Sequence, residues 1–302
     1  MTAWEAAPSF PSVSTARLRI VSDLHIGEPH SQLPRVDLIA PLLEGTAQLV
    51  FNGDTLDTRF LEQDPVARSH KADFDAFAAA HPGRITALTG NHDPDISSLH
   101  HLELEAGRVL VTHGDTLFPE MAPWGWEAQH FRAEQERRLS ALPDDQRGTL
   151  ETRLRVCKEA AYAIRDLSPH RPYGPHRHWR HRWHIVRALL RFPRIWRCWR
   201  EMPGAAARLA EVYRPAARIV ILGHFHWPGV WRCRNRVVIN TGAATLAHGA
   251  LAVDLVGRQL LVRALRFRRS GIELGAIRQV MELDETSDRP MEQRPPGSPP
   301  PL

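Results

Sequence analysis

Cysteine is scarce in this chain. Its 302 residues include three (Cys157, Cys198 and Cys233), with neither paired nor Cys-x-x-Cys spacing. That argues against a disulfide framework and predicts reduced thiols in a cytosolic setting. No run approaches the roughly 18 apolar residues of a membrane span. No basic patch followed by an apolar run opens the chain, so no secretory leader is expected, and no internal repeat is visible. Acidic residues are missing from one stretch, 171–200, which holds nine Arg and no Asp or Glu. The formal net charge of +5 comes from there, because the remainder carries 30 Lys and Arg against 34 Asp and Glu. Otherwise the composition, 43% hydrophobic and 24% charged, is ordinary for a globular protein. The length suffices for one α/β domain with an insertion or two smaller domains.

What the chain does have is a series of short apolar runs, each ending in a polar cluster. Arg17–Val21 leads to Ser-Asp-Leu-His at 22–25, and Gln48–Phe51 to Asn-Gly-Asp-Thr-Leu-Asp at 52–57. Arg84–Leu88 leads to Gly-Asn-His-Asp at 90–93, and Arg108–Thr112 to Thr-His-Gly-Asp at 112–115. Arg218–Leu222 leads to Gly-His-Phe-His at 223–226. The β-branched runs predict strands. Helical spacing is expected over 37–43, 72–80, 127–142, 145–167 and 204–213, with further strands at 230–233, 237–240, 251–254 and 260–265. Strands alternating with helices predict an α/β architecture. In open sheets of that kind ligands gather at the carboxyl ends of strands, where these clusters fall.

Together the clusters supply Asp23, His25, Asp54, Asn91, His113, His224 and His226. Residues two apart in an extended chain share a side, so the pairs Asp23/His25 and His224/His226 can each face one cavity. The ligand number suits two metal ions sharing one carboxylate. Imidazole and carboxylate without thiolate favour Mn, Fe or Zn, with Mn first. A single His is more often a surface or core residue than a ligand, and it is the company of seven that reverses the odds. Asp93 and Asp115 could support ligands or merely close turns. His30, His70, His100 and His101 are expected at the surface.

These five clusters, in this order, resemble those of the calcineurin-like metallophosphoesterase superfamily. The resemblance implies a four-layer α/β/β/α sandwich of two mixed sheets over 17–283, with a helical insertion near 118–216. A loose lead-in at 1–16 and a Pro-rich, disordered tail at 284–302 are expected from composition. The resemblance also implies roles. Asp23, His25, Asp54 and His226 would hold the first ion. Asp54 would bridge to the second, completed by Asn91, His113 and His224. His92 would be the catalytic group that protonates the leaving group or steadies the transition state, and Asp57 the carboxylate that orients it. The implied activity is hydrolysis of a phosphoester or phosphoanhydride.

His113–Leu117 is similar to the matching stretch of the UDP-2,3-diacylglucosamine diphosphatases of lipid A biosynthesis, which also carry a helical lid between these motifs. One departure is His92, where that family usually has Arg. The expected substrate is a phosphate-containing small molecule or a lipid-linked pyrophosphate, at the cytoplasmic face of the inner membrane. The segment 176–200, with four of the nine Trp, bears on partners. Its Arg177, Trp179, Arg180, Arg182, Trp183 and Arg187 would contact substrate or an anionic membrane as part of the lid. A basic helix packed through its Trp face is the plainer reading, and a nucleic-acid surface ranks below both. Alternatives to the lipid enzyme are a general phosphodiesterase, phosphatase or nuclease of the same superfamily. A non-catalytic scaffold is disfavoured because every ligand position is filled.

Overall fold

A computed structural model describes residues 16–123, 125, 127–167, 177–245 and 249–283, and of 177–190 the backbone alone. Among the described residues eleven strands form two mixed sheets. One contains β1 (Leu18–Val21), β2 (Gln48–Asn52), β3 (Ile85–Leu88), β9 (Ala250–Val256), β10 (Gln259–Arg268) and β11 (Gly271–Glu282), in the order β11-β10-β9-β1-β2-β3. The other contains β4 (His101–Leu104), β5 (Val109–Thr112), β6 (Ile219–Leu222), β7 (Gly229–Cys233) and β8 (Arg236–Asn240), in the order β4-β5-β6-β8-β7. In the first sheet β1, β2 and the edge strand β3 run parallel, with Ile20 opposite Val50, while β9, β10 and β11 are added antiparallel. In the second the central β5, β6 and β8 run parallel, with Leu110 opposite Val220, and the edges β4 and β7 pair antiparallel.

Alternation along the strands explains the layering. Ile20, Val50, Val109, Val111, Ile219, Ile221, Val237 and Ile239 fill the core between the sheets. Their neighbours Val21, Leu49 and Phe51 turn outward onto a 3-10 helix (Val36–Leu43) and onto Phe74 of α1 (Pro65–Ala79). On the other side Leu110, Val220 and Leu222 meet Leu150 and Leu154 of α4 (Leu150–Ala163) and Met202, Ala206 and Ala210 of α5 (Arg177–Tyr213). The result is the expected four-layer α/β/β/α sandwich. Strands buried on both faces account for the unbroken apolar runs in the sequence. A buried ion pair fixes β1 to β9, with Arg19 Nε 2.7 Å from Asp254 Oδ1. Arg19 also donates to the Leu42 carbonyl at 2.7 Å, which ties the 3-10 helix to the sheet.

Between β5 and β6 lie α2 (Ala128–Ser140), α3 (Asp144–Arg147), α4 and α5. The helix expected over 145–167 is divided at Gly148 and Thr149, where the Thr149 side chain caps α4 by accepting from Thr152 N at 3.2 Å. Helix α1 starts at Pro65, well before residue 72, because Asp64 caps it and Pro occupies its first turn. The helix expected at 204–213 is the end of α5, which continues through Pro193 and Pro203. Strands β4 and β11 were not expected. The expected lead-in at 1–16, save residue 16, and the tail at 284–302 lie outside the described residues.

Candidate metal centre

Five strand ends converge at one pole of the sandwich, and the backbone there is locked by bonds between clusters. Asp23 N donates to the Gly53 carbonyl at 3.0 Å, His25 N to that of Asp54 at 3.0 Å, and Gly223 N to that of His113 at 2.9 Å. Asp23, His25, Asp54, His224 and His226 all have positive φ, between 47° and 64°. For residues other than Gly that conformation is costly. These five positions account for half of the ten such residues among those described. It turns each side chain sharply off its strand and into a shared space.

The convergence is tight. Asp23, His25 and His226 place ligand atoms within 4.8 Å of one another, and so do Asp54, His113 and His224. In the first group His226 Nε2 lies 3.3 Å from Asp23 Oδ1 and 3.2 Å from His25 Nε2. In the second His113 Nε2 lies 3.3 Å from Asp54 Oδ2. Asn91 Oδ1 stands between His113 Nε2 at 3.2 Å and His224 Nδ1 at 2.9 Å. Asp54 Oδ2 is 3.9 Å from His25 Nε2, so this carboxylate connects the groups. All seven sequence-predicted ligands therefore meet, and all are buried except His226, which is partly exposed.

The remote nitrogens test whether this set suits cations. His113 Nδ1 faces the Asn52 carbonyl at 3.0 Å, His25 Nδ1 faces Glu28 Oε1 at 3.3 Å, and His224 Nε2 faces the Met121 carbonyl at 3.2 Å. Each of these partners is an acceptor, so the outer nitrogen carries the proton and the inner one is left to ligate. The donor set fits a pair of divalent cations.

The electrostatics agree. Burial would raise Asp54, yet His113 and His92 hold it well below the usual carboxylate range. Burial would lower His113, but Asp54 and Asp23 lift it to about 9. A proton on His113 Nε2 is shared with Asp54 and Asn91, where a cation would otherwise compete. Burial and the neighbouring His113 push His224 down to about 4.

His92 stands beside this centre, its ring 4.9 Å from that of His25. Its backbone N donates to Asp54 Oδ1 at 2.8 Å. The expected partner Asp57 is present, with Oδ2 3.3 Å from His92 Nδ1. Two further groups meet the same nitrogen: Arg59 Nη2 at 2.9 Å and Glu28 Oε1 at 3.4 Å. Arg59 is itself held by Asp57 in a two-pronged pair at 2.6 and 3.0 Å. A guanidinium only donates, so Arg59 bonds His92 when Nδ1 is bare and the proton sits on Nε2. In the imidazolium both nitrogens carry protons. In both of those forms Nε2 is the donor available to a substrate, whereas a neutral ring that donates from Nδ1 to Asp57 or Glu28 leaves Nε2 bare. Burial and Arg59 pull His92 down, but Asp54, Asp57 and Glu28 outweigh them and raise it to about 10.

Asp93 is more than a turn carboxylate. It accepts from Asp54 N, Thr55 N and Gly90 N at 2.9, 2.7 and 2.8 Å, clamping the loop that presents Asp54. Asp115 pairs with Lys158 of α4, both buried. His30 keeps 38% of its side chain exposed, in line with the surface position expected, and also faces Glu28 Oε2 at 3.2 Å. His100 is partly buried, against Thr89 Oγ1 at 2.7 Å. Glu28 and Arg59 were not anticipated. One signal for Glu28 exists: the Glu28 N to His25 O bond at 3.0 Å closes a turn whose third residue, Gly27, has φ 82°. Ile-Gly after His25 suits such a turn, which returns Glu28 to His25. The lid residues Arg177, Trp179, Arg180, Arg182, Trp183 and Arg187 fall on α5 where side chains lie outside the described residues.

No protein-family model matches the chain, and no curated protein matches it. Solved structures do. Vacuolar protein sorting 29 from Cryptosporidium parvum aligns over 88% of this chain and 98% of its own, with 11% identity and a TM-score of 0.41. Yfce, a phosphoesterase from E. coli, aligns over 88% and 99%, with 14% identity and a TM-score of 0.38. Vps29 of Entamoeba histolytica complexed with zinc aligns over 88% and 99%, with 10% identity and a TM-score of 0.39. Likeness at this level leaves the chemistry to be argued from the side chains.

Proposed function

We propose that this chain is a metal-dependent phosphoesterase of the calcineurin-like superfamily with a dinuclear centre. The observation that carries the reading is the pair of ligand groups, Asp23/His25/His226 and Asp54/His113/His224, joined through Asp54, with Asn91 set between the two histidines of the second. Asp23, His25, Asp54 and His226 would hold one cation. Asp54, Asn91, His113 and His224 would hold the other. What bound cations supply there is polarisation of a phosphoryl oxygen and activation of water near neutral pH. Oxygen and imidazole donors without sulfur favour Mn, with Fe or Zn as alternatives.

The protein's own part is positioning and proton transfer. His92 presents Nε2–H to the leaving oxygen, and Asp57 with Glu28 stabilises the ring as it gives and regains that proton. The buried Asp93 clamp keeps Asp54 in place as charge redistributes.

A finer reading assigns a lipid-linked pyrophosphate similar to UDP-2,3-diacylglucosamine, met at the cytoplasmic face of a membrane. In its support α5 exposes Phe192 and Trp196, at 51% and 43%, beside exposed Arg194, Arg197 and Arg200, a pattern suited to anionic interfaces. Among the described residues no helix is long and apolar enough to cross a membrane. The test is hydrolysis by the Mn-loaded protein of UDP-2,3-diacylglucosamine, a generic phosphodiester and single-stranded DNA, with products read by mass spectrometry. Release of UMP from the lipid alone supports the finer reading. Turnover of the generic ester or DNA alone retains the phosphoesterase and removes the lipid. No turnover of any of the three contradicts both.

A further inference from the structure

Glu28 lies outside the seven ligands and the His92–Asp57 pair, yet three histidines converge on it. Its Oε1 is 3.3 Å from His25 Nδ1 and 3.4 Å from His92 Nδ1. Its Oε2 is 3.2 Å from His30 Nε2. The side chain is 15% exposed, and the 25–28 turn brings it back over His25. One carboxylate oxygen therefore serves both a ligand of the first cation position and the proton donor beside it, while His30 steadies the other oxygen.

We propose that Glu28 is a positioning residue that couples the first metal position to His92. The inference rests on the dinuclear reading above. A carboxylate behind a ligating imidazole fixes its ring orientation and raises its basicity, and loss of such a partner typically lowers metal affinity about 10- to 100-fold. Because the same oxygen meets His92, a change at Glu28 that turns the His25 ring also frees the His92 ring. Metal affinity and the proton-transfer step then fall together. A residue that only stabilised the loop would move neither.

The test titrates metal-free protein with Mn²⁺ by calorimetry and follows bis(p-nitrophenyl) phosphate hydrolysis by the loaded protein. In Glu28→Gln one of two Mn²⁺ sites should weaken about 10- to 100-fold. The kcat should fall while KM and the melting temperature of the metal-free protein stay near wild type. In a His92→Ala background the same change should still weaken metal binding but lower kcat by a smaller factor, since the two residues act together. His30→Ala, which leaves Glu28 unsteadied, should shift metal affinity in the same direction by less. It keeps the inference testable if Glu28→Gln folds poorly. If wild type binds two Mn²⁺ and neither variant changes affinity or kcat by more than twofold, Glu28 is not a positioning residue and the dinuclear reading stands. A wild-type protein that binds no Mn²⁺ overturns both.

Discussion

Lys158 and Asp115 form a fully buried ion pair that fastens the inserted helices to the candidate metal centre. Lys158 belongs to α4, and Asp115 follows His113 by two residues. Their exposures are 3% and 0%; Lys158 meets Oδ2, and among the described residues Asp115 Oδ1 accepts no hydrogen bond. Removing one partner leaves a buried charge, at a cost of about 3–5 kcal/mol. Lys158→Met should therefore lower unfolding stability by about that amount in urea titrations. Adding Asp115→Leu should recover most of the loss, because the unpaired carboxylate is then gone. A single variant as stable as wild type would show the pair to be dispensable.

The imidazoles set a pH dependence for the metal-free protein. His113 and His92 are raised to about 9 and 10 in the folded state, so their stabilisation is complete below about 6.5, the ordinary His value, and is lost as pH rises through the raised values. His224 is lowered to about 4. Between that value and about 6.5 the unfolded chain takes up a proton that the folded one refuses, so stability falls as pH drops there. Thermal melts of the metal-free protein should peak near neutral pH and decline on both sides. Mn²⁺ affinity should instead rise with pH up to about 9, as His113 gives up its competing proton.

At Gly223 a loop of one sheet packs closely on a loop of the other. A Cβ there would collide with Asp23 Oδ2 and Ser22 Oγ. Gly223→Ala should displace Asp23, and His224 with it, since His224 N donates to Asp23 at 2.9 Å. The measurable outcome is weakened Mn²⁺ binding in calorimetry, with hydrolysis reduced in step. Unchanged binding would mean that the loop has slack.

His92 offers a separation of roles. In His92→Ala turnover should drop about 10²- to 10⁴-fold, the range for losing a general acid. The metal content should stay near wild type. Loss of metal in that variant would make His92 a ligand.

Much of this site was legible because its chemistry travels in short local clusters. Asp23/His25, Asp54/Asp57, Asn91/His92 and His224/His226 each follow a strand run that ends where the sheet must deliver them. The ligands missed no such pattern, but their supports did. Arg59 and Lys158 are ordinary surface residue types in sequence. Burial of Arg59 behind His92, and of Lys158 beneath the His113 loop, arises from contacts between distant segments. Glu28 was hidden for another reason, since only the turn at Gly27 brings it to His25. Among the elements, β4 (HLEL) is short, and β11 carries Gly275, Arg278 and Gln279 without clean alternation. Both are held by pairing with neighbours more than by their own pattern. Proline ordinarily breaks or kinks a helix, yet α5 continues through Pro193 and Pro203, with Met202, Ala206 and Ala210 packed on β5, β6 and β8.

Asp54 is the carboxylate on which the proposed dinuclear centre depends, and a count of bound metal tests it. Equilibrium dialysis against Mn²⁺ followed by elemental analysis should find two ions per chain in wild type. Asp54→Ala should hold fewer than two and lose measurable hydrolysis, because no carboxylate then links the groups around His25 and His113. Two ions bound by Asp54→Ala with a near-normal rate, or none bound by wild type, would contradict the two-metal phosphoesterase.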